Sequence, residues 1–225
     1  MHFDAVAFDL DGTLYPAYRL LALAIPRMLP IARRLRVFNA ARKHMRALGS
    51  DSGYRGSPPK DGEAFRALQT EFVTRRLGIE AADAAAMIDR DYYRGIDELF
   101  ARMQVFRGLE AALDALAHSG LRLAILSDLP PQRKLEHLGL DKRFELALCS
   151  EDSGFLKPAK EPFAMLASRM KLPLDRILYV GNSPRIDVAG AKAAGMSAAI
   201  VSRLPVGGAD LSFFDWRKLV DFALR

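Results

Sequence analysis

Short apolar runs recur along the chain at 5–10 (AVAFDL), 121–126 (LRLAIL), 145–149 (ELALC), 176–181 (RILYVG) and 198–202 (AAIVS). Each has the length of a strand, and their lack of polar alternation suits strands covered on both faces. Elsewhere the apolar positions follow a helical period. Leu109, Ala112, Leu113, Leu116 and Ala117 mark one such segment, which Gly120 ends. Two more helices are predicted over 161–170 and 184–194. For the last, Ser183 suits the N-cap, Pro184 the first helical position and Gly195 the end. Strand alternating with helix predicts a Rossmann-like α/β fold, a parallel sheet with helices on both faces.

One interval breaks the alternation. From about Pro16 to Met103 the pattern is mostly helical, rich in Ala, Leu and Arg, with a loop near Gly49–Gly62. That is too long for a crossover, so it reads as a separate helical module inserted after the first strand. The expected division is a core of residues 1–15 and 104–225 and a helical cap of residues 16–103. The apolar run Leu20–Ala32 is interrupted by Arg27 and two prolines and is too short to span a bilayer.

Charge sharpens this picture. The net charge of +6 is carried entirely by residues 15–106, where sixteen Lys/Arg face ten Asp/Glu. No acidic residue stands between Asp11 and Asp51. Such a block is either a solvated helix face or an attractor for anionic ligands. Nucleic acid is not expected, because aromatic residues for base stacking are sparse there. The single cysteine, Cys149, excludes an internal disulfide and sits in an apolar run that suggests burial. No signal-peptide pattern opens the chain, so a cytoplasmic location is expected.

The candidate chemistry lies where the strands end, the place where open parallel sheets bind ligands. The first run delivers Asp9 and Asp11, two residues apart and therefore on one side of an extended strand. Paired like charges are costly unless a cation or a cation-bearing ligand shares the site. The second run ends in Ser127-Asp128, the third is followed by Gly154-Phe155-Leu156-Lys157-Pro158, and the fourth ends in Gly181-Asn182-Ser183 with Asp187 beyond.

These four stretches together resemble the haloacid dehalogenase-like hydrolases, in the branch whose helical cap follows the first strand. DLDGTLYP resembles motif one, ILSD motif two, GFLKPAKEPF motif three and YVGNSPRIDVAGAKAAGM motif four. The resemblance implies that Asp9 attacks phosphorus and forms an aspartyl phosphate, while Asp11 acts as general acid and then base. It implies phosphoryl-oxygen contacts from Ser127 and charge compensation by Lys157. It also implies Mg²⁺ held by Asp9, the Asp11 backbone carbonyl, Asn182 and Asp187. Thr13 serves either the ligand or its own loop, and Asp128 either the ligand or the cap of the next turn.

Two residues depart from the family pattern: Asp128 where Asn is more frequent, and Asn182 where phosphatases usually carry Asp. Asn182 removes a negative charge from a hard-cation site. It also suggests the metal-free dehalogenase branch, but that branch lacks the second motif-one Asp, which is present here as Asp11. A phosphomutase and a non-catalytic binding protein of the same fold are also compatible with these motifs. The expected partner is a small phosphorylated substrate with negative charge beyond the phosphate, and the expected assembly a monomer or homodimer. Arg19 and Arg42, with Tyr18, Lys43 and Arg55, are the cap residues expected to meet it, by charge and position.

Overall fold

The computed structural model describes residues 2–48, 58–95, 97–100 and 102–225. Six strands form one parallel sheet: β1 (Ala5–Phe8), β2 (Arg122–Ser127), β3 (Leu146–Cys149), β4 (Ile177–Gly181), β5 (Ser197–Val201) and β6 (Leu211–Phe213). Their order is β3-β2-β1-β4-β5-β6, so β1 lies between β2 and β4 and the order reverses there. Side chains alternate across the sheet. Val6, Phe8, Leu123, Ile125, Leu178 and Val180 therefore enter one core cluster, and Ala5, Ala7, Ala124, Leu126, Ile177 and Tyr179 the other. Apolar side chains are needed on both faces, which is why these runs do not alternate in sequence.

Between β1 and the rest of the sheet lie α1 (Ala17–Met28), α2 (Ala32–Leu48), α3 (Gly62–Leu77), α4 (Ala81–Ile88) and α5 (Asp97–Phe100). A turn of π-helix, Asp89–Tyr93, extends α4. Helices α2, α3 and α4 share a cluster of their own built on Phe38, Ala41, Val73, Ala84 and Met87. A smaller cluster joins Met45, Leu48 and Phe65 to Leu156, so these helices also pack onto the loop after β3. Asp61 caps α3, accepting the Ala64 N–H at 2.9 Å, and Gly78 ends it in the left-handed conformation. Among the described residues no helix is long and apolar enough to cross a membrane.

The first core face is covered by α6 (Leu109–His118), packed against α10 (Trp216–Ala223). The opposite face is covered by α8 (Lys160–Met170) and α9 (Ala189–Ala194). Helix α7 (Gln132–His137) follows β2. The predicted helix over 184–194 opens as a π-helical turn, Pro184–Val188, before becoming α9. Ser183 Oγ accepts the Ile186 N–H there at 3.3 Å. Three elements had no sequence expectation: α7, β6 and α10. Strand β6 has only three residues, and α10 hides its apolar content in the stripe Trp216, Leu219 and Ala223. Cys149 is buried, as its apolar run implies.

Candidate active site

The carboxyl ends of β1 and β4 form the floor of the site. The Asp9 N–H still pairs with Val180 O at 2.8 Å, and the chain then turns sharply through Gly12, whose φ is +91°. A side chain at Gly12 would collide with the Asn182 amide, its Cβ standing 2.2 Å from Nδ2. Gly181 is equally constrained, because a Cβ there would lie 2.2 Å from Asp187 Cβ. The two loops thus interlock, and glycine is required where they touch.

Lys157 is the electrostatic centre. Its side chain is 1% exposed, and Nζ lies 2.8 Å from Asp9 Oδ1, 2.8 Å from Asp187 Oδ1 and 2.8 Å from the Tyr179 hydroxyl. The Tyr179 hydroxyl donates in turn to Leu126 O at 2.9 Å, a carbonyl that also lies 3.2 Å from Nζ, so the three ammonium hydrogens are all used. Burial alone would push the Lys157 ammonium down, but Asp187 and Asp9 outweigh it and hold it well above its ordinary value. The other Asp9 oxygen accepts from Thr13 Oγ1 at 2.8 Å. Burial pushes the Asp9 carboxyl up to about 7 despite the pull of Lys157, with Asp187 and Asp11 adding to the rise. Thr13 is thus seen on the nucleophile candidate itself.

Asp11 is held from two sides that the sequence did not suggest. The Tyr15 hydroxyl donates to Oδ1, and the buried Lys134 ammonium of α7 lies 2.5 Å from Oδ2. The Lys134 ammonium also sits over the Phe100 ring, 5.6 Å from its centroid. A Lys on a helix reads as a solvated residue in sequence; only the placement of α7 beside β1's loop reveals it.

The donors that could hold a cation are oxygens: Asp9, the Asp11 carbonyl and the Asn182 amide oxygen. The Asn182 Nδ2 approaches the Asp11 carbonyl at 3.4 Å, which brings these two groups together. Asp187 is more committed, since its Oδ2 accepts the Asn182 and Ser183 N–H groups at 3.1 and 2.9 Å. Among the described residues no three His, Cys, Asp or Glu side chains converge as a cage. Mg²⁺ commonly binds through one or two carboxylates plus substrate phosphate and water, so this sparse oxygen set fits it.

Above this floor lies a cavity of about 440 Å³ bordered by Asp9, Asp11, Lys157, Asn182 and Asp187 below and by Phe38, Asn39, Arg42 and Arg46 of α2 on the cap side. Ser127 is fully buried and is not among the lining residues; its Oγ accepts the Leu129 N–H at 3.3 Å. Asp128 also borders the cavity, but both of its carboxylate oxygens are engaged. Its Oδ1 accepts the Lys157 N–H at 3.2 Å and its Oδ2 the Arg46 guanidinium at 2.8 Å. Burial would raise the Asp128 carboxyl, yet Lys157, Arg42 and Arg46 hold it below the ordinary carboxylate value.

The expected cap residues fare differently. Arg42 borders the cavity, but its guanidinium is spent on Glu151, on Asp128 O and on Gln69 Oε1. Glu151 is fully buried and also accepts from the Tyr93 hydroxyl at 3.0 Å. Arg42 therefore joins α2 to the loops after β2 and β3. Arg19, Tyr18 and Lys43 are exposed and do not line the cavity, and Arg55 lies outside the described residues. Arg46, which charge pattern alone did not single out, lines the cavity, and its Nε is buried with no acceptor among the described residues.

Parallel strands in the order 3-2-1-4-5-6, with charged side chains gathered where that order reverses, define an α/β protein with its ligand site at a topological switch point. Residues 3–195 match the haloacid dehalogenase-like hydrolase family, and the chain belongs to that family of enzymes. It is 33% identical over 210 residues to a phosphoglycolate phosphatase of Salmonella typhi, covering 84% of this chain and 77% of that one. It is 28% identical to a ribulose-1,5-bisphosphate 5-phosphatase of Halopiger xanaduensis, over 87% of this chain and 83% of that one. In fold it is similar to a HAD phosphatase from Thermococcus onnurineus, with a TM-score of 0.64, 21% identity and coverage of 99% and 97%. An L-2-haloacid dehalogenase from Xanthobacter autotrophicus is similar too, with a TM-score of 0.59, 23% identity and coverage of 90% and 79%.

The buried Arg42–Glu151 pair generates a stability prediction. Arg42→Met leaves Glu151 without its cation and should cost about 3–5 kcal/mol in urea unfolding. Adding Glu151→Gln should recover much of that loss, because no unpaired charge is then buried. Equal stabilities of the single and double variants would show that the pair is not formed.

Proposed function

We propose that the protein is a Mg²⁺-dependent phosphomonoesterase acting through an aspartyl-phosphate intermediate on Asp9. The observation that carries this reading is the pair Asp9 and Asp11, each held at the same cavity floor by its own lysine and hydroxyl. Expulsion of an alkoxide needs a proton, whereas expulsion of a halide does not, and Asp11 is placed to give one. The phosphatase names of the curated relatives point the same way.

In this reading an Asp9 oxygen attacks phosphorus while the bond to the leaving oxygen breaks, and Asp11 gives that oxygen its proton. Asp11, now a carboxylate, takes a proton from the water that attacks the aspartyl phosphate, and inorganic phosphate leaves with Asp9 restored. Lys157 keeps Asp9 aimed and offsets charge on the transferring group. Tyr15 and Lys134 hold Asp11 in the orientation the proton transfer requires. Ser127 stays buried behind the cavity wall and steadies the turn after β2 by accepting the Leu129 N–H. With Asp11 protonated for its role as acid, the carboxylates of Asp9 and Asp187 only balance the Lys157 and Lys134 ammonium groups, so a bound phosphate dianion would leave the floor negative. Bound Mg²⁺ would supply the missing positive charge and polarise the phosphoryl oxygens.

The substrate reading is a small phosphorylated acid whose second anionic group meets Arg46. Arg42, first expected in that role, is engaged elsewhere, whereas Asp128 orients Arg46 at the cavity wall. Phosphoglycolate has this chemistry. A second reading, haloacid dehalogenase, is favoured by Asn182 and opposed by Asp11, and activity on the two substrate classes decides between them.

Five outcomes test these statements. Asp9→Asn should abolish hydrolysis of p-nitrophenyl phosphate with the fold intact by circular dichroism; substantial residual turnover sinks the mechanism. Release of chloride from 2-chloropropionate by the wild-type protein, without phosphatase activity, would instead establish the dehalogenase. Asn182→Asp should lower the Mg²⁺ concentration for half-maximal activity by about tenfold, the scale of outer-shell effects on metal affinity. Asp128→Asn should leave that midpoint in place, since both Asp128 oxygens are committed to Lys157 N and Arg46. Finally, Arg46→Met should raise KM for phosphoglycolate about tenfold, the scale of one charge-assisted hydrogen bond, while leaving p-nitrophenyl phosphate nearly unaffected. A parallel loss on both substrates would refute an anion-reading role.

A further inference from the structure

The catalytic cavity has a neighbour. A groove of about 500 Å³ runs between α1, α2 and the π-helical turn, within the roughly 300–1,000 Å³ common for small-molecule sites. Its walls are Leu21, Ala24 and Met28 of α1, Leu35 and Phe38 of α2, and Leu129 from the loop after β2. Phe38, Asn39 and Leu129 also border the catalytic cavity, so the two spaces meet along these three side chains. The Phe38 ring is fixed there by stacking on Tyr92, with centroids 3.9 Å apart and planes at 4°.

The charged and amide side chains of the groove wall are Arg27, Asn39, Arg90 and Asp91. Asp91 takes Arg90 Nε at 2.7 Å and Arg34 at 3.3 Å, which neutralises its carboxylate within the wall. What remains is apolar surface, and it is not covered by the described residues. Leu21 is 53% exposed, and Ile25 and Leu29 on the same side of the molecule are exposed as well. A patch of this kind on a soluble chain marks a binding surface more often than chance exposure. Its adjacency to the catalytic cavity across Phe38, Asn39 and Leu129 points to what enters it.

We propose that the groove is a subsite for an apolar body attached to the substrate, so that the enzyme takes phosphomonoesters bearing an alkyl or comparable apolar chain. The phosphoryl group sits on the Asp9 floor and the chain passes between Phe38 and Leu129 into the space beside Leu21 and Ala24. This rests on the phosphatase reading for the position of the head group, and it goes beyond that reading in specifying the rest of the molecule. Arg46 and the groove border different parts of the cavity wall, so an anionic group near the phosphate and an apolar chain can be accommodated together.

Binding of n-alkylphosphonates, methyl through octyl, measured by calorimetry with Mg²⁺ present, tests the subsite without requiring turnover. Affinity should rise about two- to fourfold per methylene until the groove is filled, from the transfer free energy of a buried CH₂. Leu21→Asp, at an exposed position that the fold tolerates, should flatten the series while leaving methylphosphonate affinity unchanged. Ala24→Phe should cut the series short. Affinity independent of chain length, or a slope unchanged in Leu21→Asp, overturns the proposal. So does a wild-type protein that sediments as a dimer and becomes a monomer in Leu21→Asp, since a second copy would then be the occupant. Hydrolysis of p-nitrophenyl phosphate is assayed in parallel. Turnover with a flat series sinks the subsite alone, and a steep series without turnover sinks the phosphatase reading alone.

Discussion

The ammonium of Lys157 sits between two carboxylates that could not otherwise share one buried place. Asp9 follows β1 and Asp187 lies in the helical turn after the adjacent strand β4, and each contributes an oxygen 2.8 Å from the same nitrogen. Without that cation the parallel pairing of β1 and β4 would bring like charges together in a region from which water is excluded. The Tyr179 hydroxyl completes the arrangement from within the sheet, so strand geometry and charge balance are one construction. The raised Asp9 carboxyl shows that balance is incomplete. Burial still disfavours its ionised form, which suits a floor that receives further positive charge with its ligand.

A second set of charges joins the helices of the inserted segment to the sheet. Arg42 and Arg46 stand one helical turn apart on α2 and both reach Asp128, one through its carbonyl and the other through its carboxylate. Glu151 and Gln69 receive the rest of Arg42, and the Tyr93 hydroxyl joins those two by accepting from Gln69 Nε2 and donating to Glu151. Asp128 faces this network, and so it does not crowd the carboxylates of the floor. The basic excess of this segment is therefore partly internal: it meets acidic groups offered by the loops after β2 and β3.

The strands were legible because burial on both faces leaves long apolar runs, and the strand-end motifs were legible because their spacing is fixed by the loops that carry them. The side chains that finish the site were not. Lys134 and Tyr15 reach Asp11 only through the placement of α7 and the turn after Gly12. Glu151 looks like an ordinary acidic residue after a strand. Arg46 and Arg42 have the same type and the same helix face, and sequence cannot say which one a buried glutamate will claim. Strand β6 and helix α10 escaped because three residues make a weak signal, and because the apolar stripe of the helix spans only two turns. In each case the missing information is a long-range contact, not a local preference.

The interlocking of Gly12 with Asn182 and of Gly181 with Asp187 bears on how such a site can diverge. Each glycine occupies a place whose volume is already filled by a residue from the other loop or from the following helical turn. A lineage cannot enlarge either glycine and adjust the rest later, since the intermediate would collide before any new chemistry appeared. Variation at residue 182 is confined in the same way to side chains that clear Gly12. Asn and Asp are nearly the same shape, so exchange between them alters charge without disturbing the packing. The accessible evolutionary path at this floor therefore runs through changes of charge at constant volume.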